Sequence, residues 1–595
     1  MYRIALCILC LASIAFAQNH IEVIYPKDGQ QIAGVDSTFI FGNTHPKASL
    51  TINGHTVEVY KDGGFLAFLP VRHGDFLFDL ISDYKGDAAL TSVHIIVGYQ
   101  PDSLNDFVDY SSIFPSGRTV LPKNEPLEFS INALAGGRAY CSLAGDSNWT
   151  AMYSQEKQTA PNYVFGDISL LNSQDAYRDY LGYLKTEGLA DSSRVYFLFE
   201  QDICDTAGQT VYSEFALDST EYYIIKKPAL PPRSIRLTGR PHIIRVAPDM
   251  GYKLINQPDG IRFIYAGETP DYYRVKLADG STGYVRKVDS SLEPEGTPQP
   301  QGEASFITVD NYDNYIEVSA ELGDKLPYEI HTDGDLMTVD IYYLNSDTDW
   351  IRFNDDAQKY VKSIWWSQPR DGVYRLNIRW YDDHFWGYTP AYEGTTFTLK
   401  LKKHLDTANP LSSPVKGLKI VLDPGHSHDP GAIGPSGLEE ADPNLWIAYE
   451  LRKILMNKGA EVLMTRMGHE DLGLYDRVDM ANKWDADLLI SIHNNALPDG
   501  INPFTHNGTS AYYYFNQARP LAEAIHKHLL EKTGLPDHGL YHGNLALCRV
   551  TDCPAVLVEC AFMMIPEQEA MLKTDKFQRK CAKAIYEGIC DYLRP

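Results

Sequence analysis

The spacing of apolar residues changes at Leu418, and this change constrains the fold more than any other feature of the sequence. Across residues 418–595, short apolar segments typical of buried strands alternate with segments whose apolar residues recur at helical spacing. Leu445 and Ala448, for example, would share one helix face, and Gly459 is placed to end that helix. Such alternation predicts an open α/β sheet with helices on both faces.

The pattern predicts nine elements, although one sequence does not reveal the order of strands in the sheet. In chain order they are strand Leu418–Leu422, a helix containing Leu445, strand Glu461–Thr465, helix Leu474–Lys483, strand Asp487–Ile492, strand Thr509–Phe515, helix Gln517–Lys532, strand Ala555–Glu559 and helix Lys576–Leu593.

Polar residues of metal-ligand type stand at the ends of three of these apolar strands. His426 follows the first strand, His493 follows the strand at 487–492, and Glu559 ends the strand at 555–559. Because sites in open α/β sheets gather at the carboxyl ends of strands, we expect these three side chains to converge. Glu440, in the loop that enters the first helix, lies on the same edge.

Two histidines and one glutamate are a recurrent ligand set for catalytic zinc, which leaves a fourth position for water or substrate. We therefore assign His426, Glu440 and His493 to a Zn²⁺ ion. A further carboxylate nearby can act as general base and then protonate a leaving amine, and Glu559 is assigned this role. A buried glutamate at the end of an apolar strand is costly unless it is paired, which argues against a purely structural role.

Four motifs in this order resemble one known family. LDPGH at 422–426, GPSGLEE at 434–440, SIHNNA at 491–496 and PAVLVE at 554–559 together look like the zinc-dependent N-acetylmuramoyl-L-alanine amidases. The resemblance covers essentially all of 418–595. It implies hydrolysis of the amide between N-acetylmuramic acid and L-alanine in peptidoglycan, with His426, Glu440 and His493 binding zinc and Glu559 as the catalytic residue.

The sequence departs from the family pattern at two ligand positions. Where the family usually has glycines after DPGH, this chain has Ser427-His428-Asp429, so His428 is a rival zinc ligand. An Asp-Pro-Gly turn beginning at Asp429 favours an exposed His428 instead. Glu439 is a rival to Glu440, because the basic residue that usually follows the ligand glutamate is replaced by Ala441.

Other polar residues of this region are weaker candidates for contact with substrate. Arg477 matches the position of a cleft arginine in the family, although a salt bridge on a helix surface would also explain it. Asn494 and Asn495 could bind substrate or close the turn after the strand, and His506 could contact substrate or be an exposed loop residue. His538 and His542 would form a metal pair only on a helix, which the glycines at 539 and 543 disfavour.

The segment after the second histidine motif is short. Family members controlled by an activator carry a long inhibitory helix at this point, whereas only Leu497–Asn507 separates the motif from the next strand here. The resemblance therefore implies a zinc site that no such helix covers.

The region before residue 418 shows alternating strand patterns, turns and linkers, so the fold class is multidomain with N-terminal β-rich modules and a C-terminal α/β catalytic domain. An Asn-Gly turn inside 49–57 predicts a β-hairpin, and 173–186 predicts a helix. The predicted units are an Ig-like sandwich at 18–100, a second β-rich domain at 101–230, a unit at 233–290 resembling an SH3-like barrel, a unit at 303–404 resembling AMIN domains, and the amidase domain at 418–595.

The first residues and the net charge bear on location and partners. Residues 1–17 combine an early Arg3, an apolar run and small residues at Ala15 and Ala17, which predicts an export signal and a periplasmic or extracellular protein. A formal net charge of −25 disfavours nucleic acid as a partner. Apart from the signal, no stretch is apolar enough to span a membrane. The expected partners are peptidoglycan and, through the β modules, other components of the cell wall or envelope.

Two other functions stay open at this point. A zinc peptidase would share the same ligand set but would cut between amino acids of the stem peptide. A wall-binding scaffold with an inactive amidase domain would use the β modules alone, but the complete ligand set disfavours it.

Overall fold

In the computed structural model, the described residues are 19–594 without 73, 99–107, 115–117, 123–125, 135–136, 144–148, 156–176, 186–191, 205–209, 218–222, 228–231, 240–242, 249–250, 383–384 and 404–412. The predicted export signal at 1–17 lies outside these residues. None of the described helices combines the length and the apolar character that a membrane span needs.

Residues 21–97 form two sheets that enclose one hydrophobic core, here called the N-terminal sandwich. Its strands alternate buried and outward-facing residues, as in β7, where Phe78 and Leu80 are buried. Asn53 and Gly54 both have positive φ and join β4 to β5, which confirms the predicted hairpin. The sheets have the orders β1-β3-β6 and β2-β8-β7-β4-β5. The strands are β1 (Ile21–Tyr25), β2 (Gln30–Ile32), β3 (Ser37–Thr44), β4 (Ser49–Ile52), β5 (His55–Val57), β6 (Gly64–Pro70), β7 (Gly74–Tyr84) and β8 (Asp87–Val97).

Residues 108–292 are also built from strands. The predicted helix at 173–186 is wrong over residues 177–185, which pair with β11 along their whole length, and the rest of that prediction lies outside the described residues. Strand β10 pairs with both β17 and β19, so the regions before and after residue 230 share a sheet. The strands are β9 (Val108–Phe114), β10 (Arg118–Pro122), β11 (Pro126–Leu134), β12 (Arg138–Leu143), β13 (Thr150–Gln155), β14 (Tyr177–Lys185), β15 (Ser192–Cys204), β16 (Thr210–Leu217), β17 (Tyr223–Lys227), β18 (Ser234–Leu237), β19 (Arg262–Glu268), β20 (Tyr272–Lys276), β21 (Thr282–Arg286) and β22 (Ser290–Leu292).

Residues 302–402 form two further sheets, with the orders β27-β23-β24-β31-β30 and β25-β26-β29-β28. Their buried side chains join those of 235–285 in one hydrophobic cluster, so the proline-rich stretch at 293–300 does not separate two cores. The strands are β23 (Gly302–Asn311), β24 (Tyr315–Glu321), β25 (Tyr328–Asp333), β26 (Leu336–Tyr342), β27 (Leu344–Phe353), β28 (Val361–Arg370), β29 (Val373–Trp380), β30 (Tyr388–Glu393) and β31 (Thr396–Lys402).

The C-terminal region is an α/β domain, as the alternation of patterns predicts. All nine predicted elements are present to within a few residues. Two further elements, β36 and α4, were not predicted, since each is short and lacks a clear apolar period. The elements are β32 (Lys419–Pro424), α1 (Ala441–Asn457), β33 (Glu461–Met464), α2 (Leu474–Lys483), β34 (Leu488–Asn495), β35 (Thr509–Tyr513), α3 (Arg519–Thr533), β36 (Asp537–His542), β37 (Ala555–Phe562), α4 (Pro566–Leu572) and α5 (Asp575–Tyr592).

The sheet of this domain has the order β33-β32-β34-β37-β35-β36. The first four strands are parallel to one another, and β35 runs antiparallel to β37. Helices α1, α3 and α5 pack on one face, whereas α2 packs on the other. The carboxyl ends of β32, β34 and β37 therefore meet at one edge, here called the catalytic edge.

The β-rich regions contact opposite edges of this sheet. Three residues at the catalytic edge are buried in the core of the N-terminal sandwich. Leu497 follows β34, Phe562 ends β37, and Met564 follows β37. At the other edge, Lys402 Nζ lies 3.1 Å from Asp487, just before β34 begins. The N-terminal sandwich is thus the β-rich unit beside the site, whereas the 302–402 region packs behind it.

Candidate metal centre

His426, Glu440 and His493 converge at the catalytic edge, as the sequence predicts. One ligand atom of each lies within 4.8 Å of the other two, and the three form the candidate metal-binding group found among the described residues. His426 Nε2 lies 3.0 Å from Glu440 Oε2, and His493 Nδ1 lies 3.1 Å from Glu440 Oε1. The carboxylate of Glu440 therefore lies between the two imidazoles.

The local backbone brings His426 to this position. His426 lies two residues after β32 and has φ +61°, a left-handed conformation that turns the chain sharply out of the strand. Gly425 is required beside it, because a Cβ there would lie 2.0 Å from Cε1 of His493. Gly431, with φ +68°, is equally constrained, since its Cβ would lie 2.6 Å from Cδ2 of His426.

Glu440 is buried and is held by donors on several segments. The backbone nitrogens of Ala432 and Asn494 each donate to it at 3.1 Å. Asn444, one helical turn further along α1, donates from Nδ2 to Oε1 at 3.0 Å. Burial alone would raise the pKa of Glu440, but His426 and His493 hold it well below its usual range, so the group is a carboxylate.

The two histidines differ in their surroundings. Burial would lower the pKa of His426, but the carboxylates of Glu440 and Asp429 outweigh it and raise this pKa to about 9. Burial lowers the pKa of His493, which is therefore neutral, the form that binds metals. Asp429 Oδ1 lies 2.5 Å from His426 Nδ1, so it can fix that nitrogen as the donor and leave Nε2 facing Glu440.

Glu559 lies next to this group. It is paired across the sheet with His493, and directly paired residues on neighbouring strands point to the same face. Its side chain is 1% exposed, and Oε2 makes no hydrogen bond to any described residue. Burial and the nearby Glu440 carboxylate raise the pKa of Glu559 well above its usual range.

The two rivals to the predicted ligands lie outside the group. His428 and Glu439 are both exposed, whereas Glu440, directly after Glu439, is 4% exposed. The reason is local: residues 434–440 double back so that Gly434 N donates to Leu438 O, which turns Glu439 outward and Glu440 inward.

Arg477 is buried in an ion pair and does not lie on the helix surface, where the alternative prediction of a salt bridge put it. It is 3% exposed, and its guanidinium donates to Asp423 Oδ1 at 2.8 Å and to the carbonyl oxygen of His426 at 2.7 Å. Asp423 is itself buried, and Arg477 helps to hold the pKa of this carboxyl below its usual range against the effect of burial. Arg477 therefore holds the metal-ligand loop in place.

The remaining candidates are divided between the interior and the surface. Asn494 and Asn495 are buried in β34 and do not close a turn. Asn494 Nδ2 donates to Asn444 Oδ1 at 2.8 Å, behind the ligand glutamate. His506 is exposed in the loop after β34. His538 and His542 lie on strand β36, so the rejected helical metal pair is absent here.

Sequence reasoning missed two residues that support the site. Asn444 bridges Glu440 and Asn494, and its place four residues after Glu440 puts it on the same helix face. Arg466 is 2% exposed and donates from Nη2 to the carbonyl oxygens of Gly425 and Ala441, at 2.8 and 2.6 Å. The available signal is an arginine directly after the predicted strand Glu461–Thr465.

Known proteins are similar to this chain over its C-terminal region. A family model described as N-acetylmuramoyl-L-alanine amidase matches residues 420–591. The probable cell wall amidase LytH of Staphylococcus epidermidis is 36% identical over 185 residues, which is 31% of this chain and 60% of LytH. The germination-specific N-acetylmuramoyl-L-alanine amidase of Bacillus subtilis is 34% identical over 208 residues, which is 32% of this chain and 85% of that protein.

Among solved structures, the catalytic domain of CwlV, an N-acetylmuramoyl-L-alanine amidase from Bacillus (Paenibacillus) polymyxa var. colistinus, is 34% identical and has a TM-score of 0.28. The match covers 30% of this chain and 98% of that structure. The chain spans only 60% of the length of LytH. The family model matches residues 420–591, so the likeness concerns the α/β domain. Through that domain, the chain belongs to the N-acetylmuramoyl-L-alanine amidase family.

Proposed function

We propose that the chain hydrolyses the amide bond between N-acetylmuramic acid and L-alanine in peptidoglycan, in remodelling or recycling of the cell wall or in daughter-cell separation. The observation that carries the proposal is the group of His426, Glu440 and His493 with the buried carboxyl of Glu559 beside it. Family membership supports the choice of substrate, because the matched relatives are amidases of this class.

The three ligand residues fit a zinc ion. Two imidazoles and one carboxylate are a usual donor set for catalytic zinc, and their ligand atoms already lie within 4.8 Å of one another. Glu440 is ionised and His493 is neutral, which are the forms that coordinate metal. When bound, zinc supplies Lewis-acid activation of water and of the scissile carbonyl.

Glu559 supplies the proton transfers. Its Oε2 makes no hydrogen bond to a described residue, so this atom can accept a proton from the attacking water. The same carboxyl then returns the proton to the amine nitrogen of L-alanine as the C–N bond breaks. Its raised pKa suits this second step, since the neutral acid is the form that donates. The first step requires the carboxylate, which the positive charge of a bound zinc ion would favour.

The remaining residues of the site either hold its ligand residues in position or lie at its border. Arg477 and Asn494 hold the metal-ligand loop and Glu440, and the exposed His506 is the candidate for direct contact with substrate. Asn495 is buried at the end of β34 and would act through the strand.

For the rest of the chain, the proposal follows the sequence patterns. Residues 18–100 would be an Ig-like sandwich, 101–230 a second β-rich domain, 233–290 an SH3-like barrel and 303–404 an AMIN-like domain, with the amidase domain at 418–595. Export through the signal at 1–17 to the periplasm or the outer cell wall would bring the enzyme to its substrate, and the β modules could bind the wall or other envelope components.

The test is to incubate purified protein with isolated peptidoglycan, with zinc and separately with a chelator, and to identify the soluble products by mass. Free stem peptides that begin with L-alanine, formed only with zinc, are the expected result. Fragments cut within the peptide would favour the zinc peptidase instead. Zinc-loaded protein that binds peptidoglycan without releasing products would favour the scaffold.

Matched variants link the activity to the site. Glu440→Gln should abolish zinc binding and product release, whereas Glu439→Gln, one residue away and exposed, should retain both. Equal loss in both variants would contradict the assignment of Glu440.

A further inference from the structure

The loop at 496–508 crosses the catalytic edge. It begins just after β34, three residues beyond His493, and leads into β35, where Ser510 is paired with Glu559. The loop therefore joins the strand of a metal ligand to the neighbour of the catalytic carboxyl. The structure describes this segment throughout and shows no helix in it.

The N-terminal sandwich, and not the α/β domain alone, holds this loop. Leu497 is 1% exposed and belongs to the core of the sandwich. Asp499 is 8% exposed, and it accepts hydrogen bonds from the hydroxyls of Tyr25 at 2.8 Å and Thr38 at 2.6 Å. Hydrogen bonds to a carboxylate are stronger than those between neutral groups, particularly where water is excluded.

The backbone of the loop approaches the sandwich closely at the same place. A Cβ at Gly500 would lie 2.7 Å from Cγ1 of Val35, so the loop and the segment of the sandwich around Val35 are in direct contact. The pKa of Tyr25 is raised by burial and by the Asp499 carboxylate, which shows that this hydroxyl stays a donor.

The sandwich also contacts the other segments that border the site. Asn43 Nδ2 donates to the carbonyl oxygen of Pro435 at 3.2 Å, in the loop that leads to Glu440. Lys573, after α4, lies 3.8 Å from the carboxylate of Asp62. The N-terminal sandwich thus touches the segments that follow β32, β34 and β37.

We propose that Asp499 is a positioning residue through which the N-terminal sandwich fixes the 496–508 loop beside the metal-ligand group. The sandwich is then a permanent part of the catalytic unit and not a mobile wall-binding arm. The inference rests on the proposed function only for the nature of the substrate that the loop would contact. The contact at Asp499 itself does not depend on it.

The test removes both hydroxyl donors while keeping the shape of the side chains, in the double variant Tyr25→Phe/Thr38→Val of the full chain. The control is the double variant Tyr84→Phe/Thr56→Val on the same sandwich. Among the described contacts, neither of these two hydroxyls makes a hydrogen bond to the α/β domain. Backbone amide exchange of 496–508 should be about tenfold faster in the test variant than in the control.

Activity on isolated peptidoglycan provides a second measurement. The test variant should show a KM raised by about threefold or more, with kcat and zinc content within about twofold of the wild type. A general loss of folding would lower kcat and zinc content together instead. Amides of β7 and β8 should keep their slow exchange, which shows that the sandwich is folded.

Asp499→Asn gives an independent variant, because it leaves every sandwich residue in place. It should speed exchange of 496–508 in the same direction, since it replaces the charged acceptor by a neutral amide. Loop exchange equal to that of the control in both variants would overturn the inference. If the wild type does not cleave peptidoglycan, the proposed function fails, and the exchange result still decides whether Asp499 holds the loop.

Discussion

Glu559 and Glu569 are two buried glutamates that should respond in opposite ways to the same substitution. Glu559 is 1% exposed, with one oxygen that makes no hydrogen bond to a described residue, and the negative charge of the Glu440 carboxylate raises its pKa further. Nothing described in its surroundings stabilises the ionised form. The isosteric change Glu559→Gln should therefore leave the stability of the α/β domain unchanged or slightly increased.

The effect of Glu559→Gln on activity should be large. An amide side chain cannot take a proton from water or return it to the leaving nitrogen. General acid–base catalysis contributes about 10²- to 10⁴-fold to rates. At about 1.36 kcal/mol for each factor of ten, the variant should raise the activation free energy by about 3–5 kcal/mol, expressed in kcat.

Glu569 is the matched control. It is 0% exposed, but its carboxylate accepts hydrogen bonds from Ser436 Oγ at 2.6 Å and from the backbone nitrogen of Leu438 at 3.3 Å. Burial raises its pKa, and these donors oppose that effect. Glu569→Gln replaces one acceptor oxygen by an NH₂ group that faces donors, so it should destabilise the domain by about 1–3 kcal/mol. Its activity should stay within about tenfold of the wild type, because it touches no ligand residue.

The assay compares the two variants in initial rates of amino-terminus release from isolated peptidoglycan, and in melting after chelation, so that metal binding does not contribute to stability. The reasoning predicts an inactive, stable Glu559→Gln and an active, destabilised Glu569→Gln. A Glu559→Gln protein that is destabilised and loses activity only in proportion to its unfolded fraction would show that Glu559 is structural.

Three other predictions follow from the same contacts. Zinc content measured by atomic absorption should fall from one equivalent to near zero in Glu440→Gln and stay unchanged in Glu439→Gln. Arg477→Met should lower the unfolding free energy of the α/β domain by about 3–5 kcal/mol, measured by denaturant titration, because it leaves Asp423 buried without its ion-pair partner; a loss below about 1 kcal/mol would contradict this. Gly431→Ala should weaken zinc binding by about 10- to 100-fold in a competition titration, since the new Cβ meets the first histidine ligand.

The sequence is most informative where a local pattern has one physical solution. The elements of 418–595 are predictable because apolar period, glycine and flanking polar residues agree with one another. The convergence of His426, His493 and Glu559 follows from the rule that ligands gather at the carboxyl ends of strands. Even the choice of Glu440 over Glu439 has a local cause, in the turn at 434–438.

Long-range packing is where prediction from sequence ends. The strand at 177–185 carries aromatic and leucine residues at spacings that also suit a helix, and its pairing with β11 decides the outcome. Arg466 and Asn444 are recognisable only once the loops that they hold are in place. The shared core of 235–285 and 304–401 is hidden by a proline-rich stretch that looks like a linker.

The contact between Tyr25 and Asp499 joins residues 474 positions apart, which has a consequence for how the chain is made. At about 5–20 residues per second, roughly 25–95 s of synthesis separate the two residues. During that interval the sandwich has no Leu497, Phe562 or Met564 to complete its core. The apolar surface of the N-terminal sandwich therefore stays exposed until the α/β domain has been synthesised. Cells that make the protein must keep that surface from aggregating during this time.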